Sequence, residues 1–143
     1  MKRSVDVYSI DANVIVRFLV GDDPKLSGKA SDILRGVESG KTIVTCDPVN
    51  LAEVVWVLRS FYGLSNKQIS DGLEPLLGAE GFLMPNKERY VRALKLFSET
   101  TPHFGDACAC AAALQDCEGR LYSFDVKLSK IKGIERSESA LGI

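Results

Sequence analysis

Short β-prone segments alternate with helix-forming segments along this chain, and that alternation leaves few folds open. The segments suited to strands are residues 5–10, 42–46, 81–84 and 120–124. Parallel strands need long crossover connections, usually helices that cover the faces of the sheet. The pattern therefore predicts an α/β fold, a three-layer α/β/α sandwich with a central parallel sheet.

Local signals set the helix boundaries between these strands. Asp23-Pro24 and Asp47-Pro48 each place an N-cap residue before a proline at the first helical position. Ser65 with Gln68 three residues later forms a capping box. These and similar signals predict helices over residues 13–19, 24–39, 48–62, 66–77, 87–98 and 105–117. The tail is less regular, with a helical turn over 127–130 and an edge strand over 134–136.

Length and composition limit the class of protein. A chain of 143 residues is sufficient for one domain, and we expect a single domain over residues 1–143. With 45% apolar and 26% charged residues, it is neither disordered nor a coiled coil. Its apolar runs fall far short of the ~20 residues that span a bilayer. Asp6 and Asp11 interrupt the segment after Lys2 and Arg3, so we expect no signal peptide and a cytoplasmic location.

The cysteine spacing excludes a C-x-x-C zinc or redox site, and the net charge excludes a nucleic-acid-binding surface that is basic throughout. The four cysteines, Cys46, Cys108, Cys110 and Cys117, contain no C-x-x-C pair, so we interpret them as small core residues. The net charge of −1 means that any nucleic-acid surface must be a local patch. Two basic clusters qualify: Lys25, Lys29 and Arg35, and Lys127, Lys130 and Lys132.

The positions of four acidic residues carry the functional information. Asp11 directly follows the first strand and Asp125 directly follows the last. Glu53 lies within an apolar helical segment, where an isolated carboxylate is costly to bury, and Asp106 lies near the start of a helix of small residues. Ligands of open parallel sheets bind outside the carboxyl ends of the strands, so these acids could converge on one cleft.

Converging carboxylates would neutralise themselves unless cations occupied the cleft. Oxygen ligands without a histidine cluster favour Mg²⁺ or Mn²⁺, and such ions serve phosphodiester hydrolysis. Each acid also has a purely structural interpretation. These are a helix cap for Asp11 and Asp106, a turn for Asp125, and a salt bridge to Arg17 or Arg59 for Glu53.

Four short motifs resemble those of the PIN-domain ribonucleases, and within them the VapC-type toxins of toxin–antitoxin pairs. They are Ile10-Asp11-Ala12-Asn13, Asn50-Leu51-Ala52-Glu53, Phe104-Gly105-Asp106-Ala107 and Ser123-Phe124-Asp125. The resemblance implies a Mg²⁺- or Mn²⁺-dependent endoribonuclease. Its metal-binding and catalytic acids would be Asp11, Glu53, Asp106 and Asp125, supported by Asn13 and Ser123. Ala12 departs from the Thr or Ser of many members.

The resemblance also implies an RNA substrate, a homodimer and a cognate antitoxin protein that covers the acidic cleft. The candidate contact surfaces are the second helix, with Leu26, Ile33 and Leu34, and the segment 56–62. Each could equally belong to the core. His103 is the only histidine, and an acid role for it is the weaker interpretation.

Two other functions compete with the nuclease. A haloacid-dehalogenase-like phosphatase needs a second Asp two places after the first, where this chain has Asn13. A non-catalytic PIN-like module for RNA binding or assembly would be marked by loss of acids, and all four are present. The phosphate-binding loops of NTPases and dehydrogenases are missing from the sequence.

Overall fold

The structure is a computed structural model that describes residues 6–140. The chain divides into two compact units, Met1–Lys87 and Glu88–Ile143. Lys2, Arg3 and the first residue of the predicted strand 5–10 lie outside the described residues. The single domain over residues 1–143 stays a prediction.

The first unit contains a parallel sheet connected by helices. Its strands are β1 (Val7–Ser9), β2 (Ile43–Thr45) and β3 (Phe82–Leu83), in that order across the sheet. The helices α1 (Ala12–Val20) and α2 (Pro24–Ser39) connect β1 to β2, and α3 (Pro48–Ser60) and α4 (Asn66–Leu77) connect β2 to β3. Ser9 pairs with Thr45, and Thr45 pairs with Leu83, so the carboxyl ends of all three strands lie at one edge.

The predicted starts of α2 and α4 are confirmed by their caps. Asp23 accepts a hydrogen bond from the Leu26 amide, with Pro24 in the first turn of α2. Ser65 and Gln68 form the reciprocal capping box of α4. Such caps satisfy amides that the first helical turn leaves unpaired, so short-range sequence is sufficient to set them.

The core of the first unit is aliphatic, with one large aromatic ring. Side chains from the sheet and from all four helices are fully or almost fully buried there, including Phe82, Ile15, Leu34, Val44, Leu51, Leu58 and Leu73. Burying each of these side chains contributes roughly 1.5–3 kcal/mol. This core therefore holds the strand ends, and the acids that follow them, on a rigid support.

The second unit contains two helices and a small parallel sheet. It comprises α5 (Lys87–Glu99), which begins at the unit boundary, α6 (Phe104–Asp116), β4 (Arg120–Tyr122), a 3₁₀ helix (Val126–Lys130) and β5 (Glu135–Ser137). Strands β4 and β5 pair in parallel, with Tyr122 opposite Ser137. Cys110, Leu128 and Ile131 form its buried cluster, and Leu96, Leu121 and Ile134 pack against them.

The observed elements confirm the predicted alternation and the parallel pairing, with shifts at the ends. The predicted strand 120–124 is shorter than expected and ends at Tyr122, because the following residues form a hydrogen-bonded turn. The predicted turn over 127–130 is the 3₁₀ helix. Among residues 6–140, no helix has the length and apolar character that crossing a membrane requires.

Candidate active site

Asp11 lies at the carboxyl end of the sheet in the first unit. The amide of Ile10, just before it, donates to the Thr45 carbonyl at 3.0 Å, which continues the pairing of β1 with β2. Asp11 is the N-cap of α1, and its Oδ1 accepts a hydrogen bond from the Asn13 amide at 3.1 Å. The capping interpretation is therefore correct for this residue. Because the cap uses one carboxylate oxygen, it is compatible with a second role for the other oxygen.

Asp47 repeats this arrangement on the neighbouring strand. It follows β2, caps α3 and accepts a hydrogen bond from the Val49 amide at 2.8 Å. The structural role that the sequence predicts for Asp47 is confirmed. Asp11 and Asp47 thus provide two carboxylates with the same capping geometry at the same edge of one sheet.

Glu53 lies on an exposed face of α3. Its side chain is exposed, as are those of Ala52 and Trp56, whereas Val54 and Val55 are buried. The expected cost of burying this carboxylate therefore does not arise. Helix α3 packs against α1, the helix that Asp11 caps. The first unit thus carries Asp11 and Glu53 on neighbouring helices.

Asp106 lies in the first turn of α6 in the second unit. The helix begins at Phe104, and the N-cap residue is His103, whose side chain makes no capping hydrogen bond. Asp106 is therefore not the N-cap residue, and the interpretation of this acid as a plain cap is wrong. Its half-buried carboxylate lies where the exposed amides of the first turn stabilise negative charge.

Asp125 lies in the turn that follows β4. Its Oδ1 accepts a hydrogen bond from the Lys127 amide at 3.0 Å and so caps the 3₁₀ helix. Its own amide donates to the Ser123 Oγ at 3.0 Å. The turn interpretation of Asp125 is correct, and Ser123 holds the backbone of this acid through its hydroxyl.

Asp106 and Asp125 both raise the pKa of one thiol in the second unit, that of Cys110. Burial raises the pKa of the Cys110 thiol, and the negative charges of Asp106 and Asp125 raise it further. Both carboxylates therefore lie within electrostatic reach of one buried sulfur. The same shift keeps Cys110 protonated at neutral pH, so carboxylate oxygens are the charged donors here.

The chemistry of these donors fits a hard divalent cation. Carboxylate oxygens are the protein ligands that Mg²⁺ and Mn²⁺ prefer, whereas a protonated thiol is not a ligand. Within the described part of either unit, no group of three or more His, Cys, Asp or Glu side chains is placed to hold a metal ion. Each unit thus provides two of the four predicted acids.

The cysteines follow the core interpretation with one exception. Cys46 and Cys110 are buried and Cys108 is half-buried, but Cys117 is exposed, so the prediction is wrong for Cys117. Burial, and to a smaller extent the charge of Asp47, raises the pKa of Cys46 to about 11. Burial also raises the pKa of Cys108 to about 11, against the opposing charge of Arg89.

We expect these differences to appear in alkylation of the native protein. At pH 8, Cys46 and Cys108 lie about three pH units below their pKa values, so roughly one in a thousand of these thiols is the reactive thiolate. Iodoacetamide should label Cys117 first and the other two only after denaturation. Peptide mass spectrometry over a time course measures this order, and equal labelling rates in the native state would contradict it.

The predicted basic clusters are all solvent-exposed. This is true of Lys25, Lys29 and Arg35 on α2, and of Lys127, Lys130 and Lys132 after Asp125. Exposure keeps each group available to phosphates. His103, which is also exposed, stands at the N-cap of α6.

The predicted contact surfaces are only partly accessible. Leu34 is completely buried, so its assignment to such a surface is wrong, whereas Leu26 and Ile33 are each 39% exposed. In the segment 56–62, Trp56 is 62% exposed and Phe61 is 78% exposed. This segment therefore presents large apolar side chains to solvent.

The sequence interpretation missed an exposed aromatic ring beside Asp125. Phe124 is 85% exposed, and it borders a cavity of about 370 Å³. The cavity is lined by Tyr122, Ser123, Phe124, Ser137, Glu138 and Ala140. Assigning residues 120–124 to a strand concealed Phe124, because alternation within a strand would not distinguish this ring from a core side chain.

A comparison with known families gives a match over most of the chain. A family model described as PIN domain matches residues 8–134, a range that includes Asp11, Glu53, Asp106 and Asp125. The match, together with the parallel strands and their helices, confirms the predicted three-layer α/β/α fold class. No curated protein matches the sequence.

Proposed function

The chain belongs to the PIN domain family, a nuclease superfamily, and from this premise we propose that it is a metal-dependent endoribonuclease. Its substrate is RNA, and its reaction is hydrolysis of phosphodiester bonds. The proposed metal-binding and catalytic residues are Asp11, Glu53, Asp106 and Asp125, with Mg²⁺ or Mn²⁺ as the cofactor.

One observation carries this proposal beyond family membership. Asp106 and Asp125 come from different elements of the second unit, yet both charges act on the Cys110 thiol. A divalent cation would balance the charges of two carboxylates that face one region. The joint effect of both acids on one thiol therefore supports a shared role in cation binding.

The four carboxylates have different roles in the proposed reaction. We assign Asp11 and Asp106 as the principal metal ligands, and Glu53 and Asp125 as ligands that also accept the proton of the attacking water. A divalent ion held by these residues would lower the pKa of that water and stabilise charge at phosphorus. Asn13 and Ser123 orient these ligands. The Asn13 amide donates to the Asp11 carboxylate, and the Ser123 hydroxyl accepts from the Asp125 amide.

The surroundings of Asp125 favour single-stranded RNA as the substrate. Unpaired bases bind proteins by stacking on exposed aromatic rings, and Phe124 presents such a ring next to the acid. The exposed Lys127, Lys130 and Lys132 follow in the chain and can contact phosphates. A duplex cannot offer an unstacked base to this ring, so double-stranded RNA should bind more weakly.

Replacing Phe124 with alanine should weaken binding of single-stranded RNA by at least about fivefold, because a base–aromatic stack contributes about 1–3 kcal/mol. F124L retains an apolar side chain without an aromatic face and should lose a similar amount. V49A removes a side chain that is 76% exposed in the other unit, and it should have no effect. Fluorescence anisotropy with a labelled oligonucleotide measures all three affinities, and wild-type binding by F124A would contradict stacking.

The decisive experiment measures cleavage of RNA by the purified chain. Cleavage should require Mg²⁺ or Mn²⁺, cease on chelation and return when the metal is restored. A D11N preparation purified in the same way controls for contaminating ribonucleases. If RNA remains intact with either metal, the proposal is wrong.

The same assay separates the two competing functions. Turnover of a generic phosphomonoester, with RNA left intact, would favour the haloacid-dehalogenase-like phosphatase. Tight binding of RNA without cleavage, in the presence of metal, would favour the non-catalytic module.

We further propose that the chain is the toxin of a toxin–antitoxin pair, acts in the cytoplasm and forms a homodimer. The exposed apolar side chains of Trp56 and Phe61 support a protein-contact surface on α3 and the residues that follow it. Light scattering of the purified chain tests the homodimer. Co-purification with the product of an adjacent small gene tests the antitoxin.

A further inference from the structure

The Arg136 side chain contacts three residues of the second unit. It lies on β5, and its side chain is only 16% exposed. Its Nη1 donates to the Ser123 carbonyl at 2.8 Å, and its Nε donates to the Ser129 Oγ at 3.0 Å. Its guanidinium also pairs with Glu138. A guanidinium this far from solvent is costly unless its donors are satisfied, so these contacts hold it in one place.

The two uncharged partners of Arg136 lie on either side of Asp125. Ser123 directly follows β4, and Ser129 lies in the 3₁₀ helix that Asp125 caps. Ser123 also accepts from the Asp125 amide through its Oγ and donates its own amide to the Ser137 carbonyl at 3.3 Å. The Arg136 guanidinium therefore holds the turn around Asp125 at both ends, at Ser123 before it and at Ser129 after it.

The ion pair between Arg136 and Glu138 excludes direct binding of RNA phosphates as the role of Arg136. Glu138 neutralises the guanidinium, so Arg136 is not an available anion site for the phosphates of RNA. The planar guanidinium donates from Nε and Nη1 in fixed directions, and one ammonium group cannot reproduce both contacts. Its function must therefore lie in the geometry that it imposes on its partners.

We propose that Arg136 is a positioning residue that sets the Asp125 carboxylate for metal binding. This inference rests on the proposed function, because it assigns a task to Asp125 within that site. Residues that orient metal ligands without touching the metal typically lower metal affinity by about 10- to 100-fold when they are replaced. Arg136 acts on the ligand through the backbone of the turn, and it touches neither metal nor RNA.

The test compares R136A, R136K and S129A with a matched control. Arg120 belongs to the same small sheet, but its side chain is 64% exposed and pairs with Glu118 at 3.3 Å, so R120A removes an arginine without disturbing the turn. Calorimetric titration of Mn²⁺ alone measures affinity, and amide hydrogen exchange of residues 124–127 measures the order of the turn.

We expect R136A to weaken Mn²⁺ binding by about 10- to 100-fold and to speed exchange of the Asp125 and Lys127 amides. R136K should be intermediate, because an ammonium can still donate to the Ser123 carbonyl. S129A should lose a few-fold in affinity, and R120A should match the wild type. RNA cleavage should follow Mn²⁺ affinity, so that added metal restores the rate of R136K.

Wild-type Mn²⁺ affinity and amide exchange in R136A would overturn the proposal. If R136A does not fold, R136K and S129A decide in its place, and wild-type Mn²⁺ affinity in both would overturn it. A wild-type chain that neither binds Mn²⁺ nor cleaves RNA would refute the proposed function, and this inference with it. A wild-type chain that does both, while R136A binds Mn²⁺ equally well, would refute the positioning role alone.

Discussion

The D11N variant should lose RNA cleavage by at least about a thousandfold while it keeps its fold. Metal-assisted stabilisation of the reacting phosphate contributes several kcal/mol, and an amide cannot replace the charge of a carboxylate ligand. The fold should survive because Asn retains an oxygen that accepts the hydrogen bond from the Asn13 amide. Asn caps helices about as well as Asp. Initial rates with a fluorogenic RNA, together with thermal melting, measure both outcomes.

The structure provides a matched control for this loss. Asp47 caps α3 through the same contact, with its Oδ1 accepting from the Val49 amide, but it is outside the proposed acid set. D47N should therefore retain cleavage, whereas D106N in the other unit should lose it as D11N does. Equal activity of D11N and D47N would show that the charge of Asp11 is not needed and would remove it from the site.

The G81A variant should be destabilised by about 3 kcal/mol, at the upper end of the range for overpacked positions. A Cβ at Gly81 would lie 2.1 Å from the Thr42 carbonyl oxygen and 2.8 Å from the Val37 carbonyl oxygen. Both atoms are backbone, so neither can rotate away. The Gly81 amide donates to the Val37 carbonyl and its own carbonyl accepts from the Val44 amide, so relief of the clash would break these bonds.

Gly28 is the control for the glycine substitution itself. It lies inside α2, and a Cβ there would meet nothing within 4 Å. G28A should stabilise the chain by about 0.5–1 kcal/mol, since alanine favours a helix interior over glycine by that amount. Urea denaturation of both variants measures the two opposite changes in unfolding free energy. A stable G81A would show that β3 and the end of α2 do not pack this closely.

The elements that local chemistry controls were predictable. The start of α2 follows from Asp23 and Pro24, and the start of α4 follows from Ser65 and Gln68, because a cap involves residues only a few positions apart. The parallel pairing also follows from the order of strands and helices, since such connections permit little else. For the same reason, the sequence placed Asp11 near the carboxyl end of β1, but it placed Asp125 directly at the end of its strand, whereas β4 ends at Tyr122 and Asp125 lies in the turn that follows.

Side-chain exposure was less predictable, because it depends on what packs against each residue. Glu53 was expected in a mostly apolar helix, yet the face of α3 that carries it is open to solvent. Cys117 was assigned to the core but is exposed, and of the two interpretations left open for Leu34, contact surface or core, the structure selects the core. Periodicity gives the faces of a helix, but only its neighbours determine which of them is covered.

The α/β class, the caps of α2 and α4 and the order of the four acids can be read from the amino-acid sequence, since each depends on residues that are close in the chain or on connectivity. Packing in three dimensions is needed for Asp106 and Asp125 both to raise the pKa of the buried Cys110 thiol, and for Arg136 to join Ser123 to Ser129 around Asp125. These contacts depend on how β4, β5 and α6 pack together. No short-range rule encodes that packing, because many side chains must fit at once before any one distance is fixed.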